Sequence, residues 1–311
     1  MPTRQISLPQ GVSASNASLG SMFFIGAMVV FATQDGISKY LALTYSVFFI
    51  VMIRYWAFGF FVLALSARKP GGIRAVARSA ALPVQIFRGV LLVIQICCIV
   101  WSFSHNGLIN THSVFASYPL MVTALSVPLL GERVGLRRWL AICVGFVGVL
   151  IILQPGSSIF SPASLYPLGF AVMFALYNIA TRYVARVDRP ETSFFWTGIS
   201  GAVTITLIGP FYWDPMQTSF DWMWMGILSV TGTLGHYLMI RALDLTEASR
   251  VQPFVFLQTA FASGIGIIIF AEELRSTTIL GASIVVASGL FTLWREQLIA
   301  RKATSSRSGD K

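Results

Sequence analysis

The chain has 311 residues, of which 55% are hydrophobic and only 11% are charged, and its formal net charge is +10. That charged fraction is about half of what soluble domains carry, so the composition excludes an ordinary water-soluble fold. The predicted elements are therefore membrane-spanning segments.

Ten apolar segments follow one another along the chain, each close to the roughly 20 residues that a helix needs to cross a bilayer. They are residues 22–41, 46–66, 82–103, 109–130, 136–154, 164–184, 192–212, 222–243, 251–270 and 277–294. Runs such as 140–153 are apolar on every side, unlike the alternating strands of a membrane barrel. The sequence therefore predicts an all-α membrane protein with ten transmembrane helices.

The positive charge could indicate a nucleic-acid partner in a soluble protein, but its distribution indicates membrane orientation instead. With the N-terminus placed in the cytoplasm, eighteen of the 22 Lys and Arg residues fall in the termini and loops on that side. Only Lys39 and Arg275 lie at the opposite side, and Arg54 and Arg88 lie within spans. This bias follows the positive-inside rule. We expect both termini in the cytoplasm, the lipid bilayer as a partner, and no nucleic-acid partner.

An internal repeat relates the two halves of the chain. Residues 26–42 align without gaps on residues 169–185, with Asp35 opposite Asn178 and Lys39 opposite Arg182. The predicted organisation is a tail (1–20), two repeats of five spans (21–155 and 163–296) and a basic tail (297–311). Because five is odd, the second repeat is inverted in the membrane relative to the first. Inverted repeats characterise secondary transporters.

Several motifs resemble those of the EamA family of drug/metabolite transporters, and the resemblance covers nearly the whole chain. They are DGISK at 35–39, RYW at 54–56, FRGVLL at 87–92, LGER at 130–133, ALDLTEASRVQPF at 242–254 and AEE at 271–273. One departure is that Glu272 precedes Glu273 where the first half has Gly131 and Glu132. The resemblance implies a substrate cavity between the halves, with helices five and ten assisting association into a homodimer.

Within this family the chain is similar to bacterial riboflavin importers and S-adenosylmethionine uptake carriers. The resemblance implies an inner-membrane permease for a small metabolite, with riboflavin as the leading substrate, because cationic S-adenosylmethionine conflicts with a site dominated by Arg54. Uptake of S-adenosylmethionine and export of amino acids or drugs remain open. A non-transporting assembly or sensory subunit is the alternative of another class, but it gives no reason for two inverted halves.

Motifs for catalysis are missing from the sequence: it has no Walker A loop, no HExxH and no Gly-x-Ser-x-Gly elbow. We therefore expect no enzyme, no catalytic residues and no cofactor.

Charged residues within spans are the first candidates for a substrate site, since each needs a partner or water. Arg54 either binds an electron-rich group of the substrate or pairs with Asp35. Arg88 lies near the start of the third span, where it could bind substrate or snorkel to the interface. Asp35 is a candidate proton-coupling group, and the alternative is a pair with Lys39 one turn further on.

Uncharged polar and aromatic side chains within spans complete the candidate substrate site. They are Gln34, Gln95, Trp101, His112, Tyr118, Tyr177, Asn178, Trp196, His236 and Gln258. Each could orient a ligand by hydrogen bonds or stacking, or could simply join helices. Because His112 and His236 have no Cys, Asp or Glu at ligand spacing, no metal site is predicted.

Overall fold

The computed structural model describes residues 14–131, 134–154, 165–245 and 252–308, and the regular elements in these ranges are all helical. The first half contains α1 (Ala14–Ala42), α2 (Val47–Ala67), α3 (Gly72–Ala77), α4 (Leu82–Asn106), α5 (Leu108–Phe115), α6 (Tyr118–Leu130) and α7 (Leu136–Leu153). The second half contains α8 (Tyr166–Val184), α9 (Pro190–Ile208), α10 (Ser219–Leu245), α11 (Val255–Phe270) and α12 (Ser276–Ser308). Glu132 and Arg133 of the LGER motif, and residues 246–251 of the segment before α11, lie outside the described residues.

A helix lies at each of the ten predicted spans. Six segments have the length and hydropathy of a membrane crossing: 18–42, 47–67, 82–106, 136–153, 190–212 and 276–295. Helix α11 is apolar but shorter. The chain is thus a multi-pass helical membrane protein with six clear spans among the described residues, and the count of ten crossings stays a prediction.

The fourth predicted span is two helices rather than one. Helix α5 ends at Phe115 and α6 begins at Tyr118, with Pro119 in its first turn. Proline has no amide hydrogen and its ring clashes with the carbonyl four residues earlier, so it is best tolerated in the first turn of a helix, and further inside it kinks or breaks the helix. Span nine is also irregular at its start, where a 3₁₀ turn, Gln252–Phe254, precedes α11. The break in span four leaves His112 and Tyr118 on either side of a bend.

Helix packing relates the two halves by exchange. Helix α1 packs on α10 and α11, and its counterpart α8 packs on α4 and on α6. Helix α2 packs on α10, and its counterpart α9 packs on α4. The pairs α2 with α9 and α7 with α12 each join equivalent helices. Each contact that a helix of one half makes is therefore repeated by the equivalent helices of the other half. The middle of the bundle thus lies between equivalent elements.

Helices α7 and α12 meet through glycine. A Cβ added at Gly148 would lie 2.7 Å from the carbonyl oxygen of Gly281, so the two backbones touch where no side chain intervenes. Small residues allow this close approach of membrane helices. The outer face of α7 exposes Leu140, Val144 and Val147, which is an apolar surface suited to lipid or to another helix.

Candidate functional site

A narrow cavity lies between α2, α4 and α10, and we call it the Arg54 cavity. Its lining residues are Arg54, Tyr55, Phe58, Leu92, Ile96, Ser229, Gly232, Thr233 and His236. The space between these side chains has room for about one water molecule. The cavity is therefore closed around its polar groups in this conformation and too small for an organic metabolite.

Arg54 reaches this cavity without a bonded partner. Among the described residues no carboxylate lies within 4.0 Å of its guanidinium, and no hydrogen bond from it is formed. Asp35 instead contacts Gln258 and His112. The Arg54–Asp35 salt bridge considered from the sequence is thus not formed. A guanidinium in a low-dielectric cavity without a counter-ion is suited to attract an electron-rich group.

His236 brings aromatic surface to the same cavity. Its ring stacks on Phe58 with centroids 5.7 Å apart and meets the edge of Phe31 at 5.3 Å. Phe194 approaches at 6.5 Å from α9. Aromatic faces of this kind favour planar partners in offset or edge contacts. The cavity therefore combines one cation with a cluster of rings.

The position of these lining residues follows helical spacing. Arg54 and Phe58 are four residues apart on α2, and Gly232 and His236 are four apart on α10, so each pair lies on one helix face. Tyr55, Phe58 and Gly232 were not among the candidates named from the sequence. The four-residue spacing to Arg54 and His236 is the signal that could have found Phe58 and Gly232.

A second polar group, the Asp35 cluster, joins three helices. Gln258 on α11 donates a hydrogen bond to Oδ2 of Asp35, with a length of 2.8 Å. Nε2 of His112 on α5 lies 3.1 Å from the same oxygen, although the two atoms are not aligned as a hydrogen bond. The His112 ring stacks on Phe103 with centroids 5.3 Å apart. One carboxylate thus faces an imidazole and an amide from two other helices.

The Asp35 cluster borders a cavity of its own. His112, Tyr118 and Gln258 line this space, together with Phe115, Ala116, Val255, Phe256 and Thr259. It also has room for about one water molecule. The bend between α5 and α6 is what brings His112 and Tyr118 to this space.

Lys39 does not pair with Asp35. Its ammonium instead forms an ion pair with Glu272, in the connection between α11 and α12, and lies 4.2 Å from the centroid of Phe270. Glu272 also accepts hydrogen bonds from the backbone amides of Leu108 and Ile109, at 2.7 and 2.9 Å. These contacts satisfy amides at the start of α5. Glu272 therefore ties α1 and α5 to the second half.

A glycine makes this approach feasible. Gly107 has a φ of 79°, in the left-handed region that favours glycine. A Cβ at this position would also lie only 2.8 Å from Oε2 of Glu272. A side chain at residue 107 would thus strain the backbone and displace the carboxylate.

Arg88 is buried between helices and is not exposed at the surface of the bundle. Its side chain is 2% exposed and donates hydrogen bonds to Thr181, to the carbonyl of Ser193 and to Thr197. Its guanidinium carbon also lies 5.3 Å from the centroid of the Tyr177 ring. These contacts bind α4 to α8 and α9, outside the lining of both cavities.

Four of the other candidates lie apart from the two cavities. Asn178 donates to the carbonyl of Phe174 on its own helix, at 2.7 Å, and Trp196 donates to the carbonyl of Ala77 at 2.9 Å. Trp101 stacks on His105 with centroids 4.0 Å apart, and Gln95 is buried on α4. The structure therefore gathers Arg54 and His236 around one cavity and His112, Tyr118 and Gln258 around the other, with Asp35 in contact with His112 and Gln258.

Two hydrogen-bond networks join the halves near the two ends of α2. In the Asp221 network, the hydroxyl of Tyr45, between α1 and α2, donates to Asp221 at the start of α10, at 2.7 Å. Tyr40 and Thr218 donate to the same carboxylate. In the Asp188 network, Asp188 between α8 and α9 accepts bonds from residues around the start of α4, namely Ser79, Ala80 and Gln85.

These networks are equivalent under exchange of the halves. The gapless alignment that pairs Ala42 with Ala185 also pairs Tyr45 with Asp188, and α10 is the counterpart of α4. Tyr45, in the Asp221 network, lies just before α2. Lys69 lies just after α2, and its ammonium is 3.7 Å from Glu191, close to the Asp188 network. Because α2 has 21 residues, it is about 30 Å long. Equivalent networks thus lie near the two opposite ends of the bundle.

Hydrogen bonding stabilises the charged form of Asp188. Burial by itself would raise the pKa of this carboxyl, but hydrogen bonds from Ser79, Gln85 and the amide of Ala80 outweigh it and hold the pKa below its ordinary value. The Asp188 network therefore contains a carboxylate at physiological pH.

Two equivalent helical halves that enclose buried polar cavities are typical of the transporter class of membrane proteins. Comparison with known protein families agrees: the EamA-like transporter family matches residues 18–154 and again residues 161–294. The chain belongs to this family, and carries two copies of its domain.

Several curated relatives align over most of the chain. An S-adenosylmethionine uptake transporter of Rickettsia bellii is 26% identical over 280 residues, covering 90% of this chain and 95% of the relative. A riboflavin transporter of Vibrio cholerae is 26% identical over 294 residues, covering 91% and 96%. The pseudopaline exporter CntI of Pseudomonas aeruginosa is 25% identical over 271 residues, covering 86% and 94%. A solved crystal structure with 16% identity matches with a TM-score of 0.58, covering 89% of this chain and 96% of that one, which indicates a shared fold.

Proposed function

We propose that this protein is a secondary transporter of the bacterial inner membrane that moves a small organic metabolite by alternating access. In this proposal ten helices cross the membrane as two inverted repeats, residues 21–155 and 163–296, with both termini in the cytoplasm. The observation that carries the proposal is the exchange relation between the Asp221 and Asp188 networks. Two halves that can exchange roles provide an inward-open and an outward-open state around one site.

The proposed cycle opens one network at a time. Separation of Tyr45 from Asp221 opens one side of the bundle, and separation of Asp188 from Ser79 and Ala80 opens the other. With both networks intact the Arg54 cavity has room for about one water molecule, which corresponds to an occluded state. Substrate enters when one network is broken and leaves when the other is.

Riboflavin is the leading substrate in this proposal. The chemistry of a neutral planar heterocycle matches a cavity that offers Arg54 as a hydrogen-bond donor and the rings of Phe58 and His236 as stacking surfaces, once one network has opened and widened it. The riboflavin transporter of Vibrio cholerae, among the relatives, supports the same choice.

S-adenosylmethionine is the second candidate. The Rickettsia relative with that name supports it, and so does the carboxylate of Asp35, which could receive a cationic group. The positive charge of Arg54 opposes it. Export, as in the pseudopaline exporter, uses the same architecture in the opposite direction. Association through the apolar outer face of α7 into a homodimer is part of the proposal.

The test is uptake of labelled riboflavin into cells that cannot synthesise it, with and without this chain and with excess S-adenosylmethionine as competitor. Saturable uptake that the competitor does not reduce supports a flavin permease. Competition together with uptake of labelled S-adenosylmethionine supports the second candidate. No uptake of either compound, despite good expression in the membrane, contradicts both substrates and directs the search to export.

A further inference from the structure

A buried hydrogen-bond acceptor without a partner lies next to the Arg54 cavity. Gln34 on α1 is only 4% exposed, and its Oε1 accepts no hydrogen bond from any described residue. Buried side-chain oxygens are nearly always bonded, and an exception calls for an explanation such as a ligand or water that completes the site. The orphaned oxygen of Gln34 is such an exception.

Arg54 provides unused donors at the same place. The position that a Cβ would take at Gly232 lies 3.2 Å from Oε1 of Gln34 and 3.3 Å from Nε of Arg54. Both side chains therefore approach the backbone of α10 at Gly232 from two different helices. Oε1 of Gln34 and the guanidinium of Arg54 form no hydrogen bond with each other or with the rest of the described chain. Glycine at 232 leaves the space that both groups use.

We propose that Gln34 and Arg54 together recognise one edge of the transported molecule, an edge that presents a hydrogen-bond acceptor beside a donor. This inference rests on the proposed transport function. The cyclic imide of a planar heterocycle has that edge: Arg54 donates to an imide carbonyl oxygen, and Oε1 of Gln34 accepts the imide N–H. The rings of Phe58 and His236, which line the same cavity, then lie beside the heterocycle.

An α-amino acid group carries related chemistry, because its carboxylate accepts and its ammonium donates. The two sources differ in one respect that an experiment can use. Methylation of the imide nitrogen removes the hydrogen-bond donor of a heterocycle and leaves its shape and stacking nearly unchanged. Recognition of an amino acid group does not depend on an imide donor.

The experiment measures binding to the purified full-length protein in lipid nanodiscs. The probes are riboflavin, its 3-methyl derivative and S-adenosylmethionine; flavin fluorescence quenching reports binding of the first two. Loss of one hydrogen bond to a buried acceptor predicts roughly tenfold to hundredfold weaker binding of 3-methylriboflavin to the wild-type protein. Gln34→Leu is expected to weaken riboflavin binding and to abolish the discrimination between the two flavins.

Two matched controls separate recognition from general damage. Thr33 is the exposed neighbour of Gln34, and its hydroxyl donates only to Val29 of the same helix. Thr33→Val should therefore keep wild-type binding. Gly232→Ala places a methyl group against Gln34 and Arg54 and should weaken binding, whereas Gly226→Ala adds a methyl group in open space on the same helix and should not. Monodisperse elution from a sizing column verifies the fold of each variant.

The outcomes are distinct. If riboflavin binds but the 3-methyl derivative binds equally well, the inferred edge recognition is overturned and the flavin transport proposal stands. If only S-adenosylmethionine binds and Gln34→Leu reduces its affinity, the imide assignment is overturned and the amino acid group takes its place. If no probe binds the wild-type protein, both the inference and the proposed substrates are rejected.

Discussion

Lys39 and Glu272 form an ion pair between α1 and the connection of α11 to α12, although Asp35 lies four residues from Lys39 on the same helix. The two side chains are separated by 233 positions in the sequence and are largely buried. The same carboxylate accepts the amides of Leu108 and Ile109. One acidic side chain thus holds together three segments from both halves.

Glu272→Ala is expected to destabilise the protein strongly, because it leaves the buried ammonium of Lys39 without a partner and the first amides of α5 without an acceptor. Breaking a buried ion pair by removing one partner costs about 3 to 5 kcal/mol. Glu273→Ala is the matched control, since Glu273 is exposed and exposed substitutions change stability by about 0.5 kcal/mol or less. Thermal unfolding in detergent compares the two. Equal melting temperatures for both variants would show that the Lys39–Glu272 pair is not structural.

Arg54→Ala is expected to abolish transport while the protein still inserts and purifies normally, because the Arg54 cavity loses its only cation. Arg54→Lys keeps the charge but loses the planar set of donors, so we expect reduced uptake rather than none. The control is Arg74→Ala, on the exposed helix α3. Substrate uptake into proteoliposomes, normalised to the amount of protein, provides the measurement. Normal uptake by Arg54→Ala would make this residue dispensable.

The sequence predicts the helices well because a membrane helix depends on a local property, the hydropathy of about 20 consecutive residues. Each predicted span lies on a helix. The break at Ala116 and Ser117 is also local in origin, since Pro119 disfavours a continuous helix there, but hydropathy alone does not register it. Arg54 and His236 could be named as candidates because polar groups within an apolar span are conspicuous.

The partners of these residues could not be predicted, because they depend on which helices pack together. From the sequence, Asp35 is the obvious partner for Lys39 and for Arg54, yet Gln258 and His112 contact it instead. Glu272 was noted only as a departure from the family pattern. The Asp188 network joins side chains more than a hundred residues apart, and no local pattern encodes such contacts.

Asp35→Asn is expected to flatten the pH dependence of uptake, because it removes the carboxylate that faces His112 and Gln258 and that we proposed from the sequence as the proton-coupling group. Initial uptake rates between mildly acidic and neutral pH provide the test, with the exposed Glu273→Gln as control. His112→Gln discriminates between the two titratable groups of the Asp35 cluster. A pH profile that is unchanged in Asp35→Asn but flat in His112→Gln would assign coupling to the imidazole and remove Asp35 from this role.

Asp188→Asn is expected to open the bundle at one end only. A single reporter, Ser229→Cys, places a thiol in the lining of the Arg54 cavity after Cys97, Cys98 and Cys143 are replaced. Hydrogen bonds to a charged group are worth about 1.5 to 3 kcal/mol, so removing the charge should raise the labelling rate by at least tenfold from one side of the membrane. Tyr45→Phe, in the Asp221 network, should raise it from the other side.

The control for that experiment is Glu191→Gln, which neutralises an acid at the same end. Glu191 forms only an exposed pair with Lys69, and such pairs contribute little to stability.

The direction of the pH effect follows from the lowered pKa of Asp188. Its stabilising contribution is present above the ordinary aspartate pKa of about 3.9 and is lost only as the pH falls through the lowered value. In the reporter protein with intact Asp188, protonation of this carboxylate should therefore not raise the labelling rate between neutral and mildly acidic pH. Equal labelling from both sides in Asp188→Asn and Tyr45→Phe would contradict the assignment of the two networks to opposite ends of the transport path.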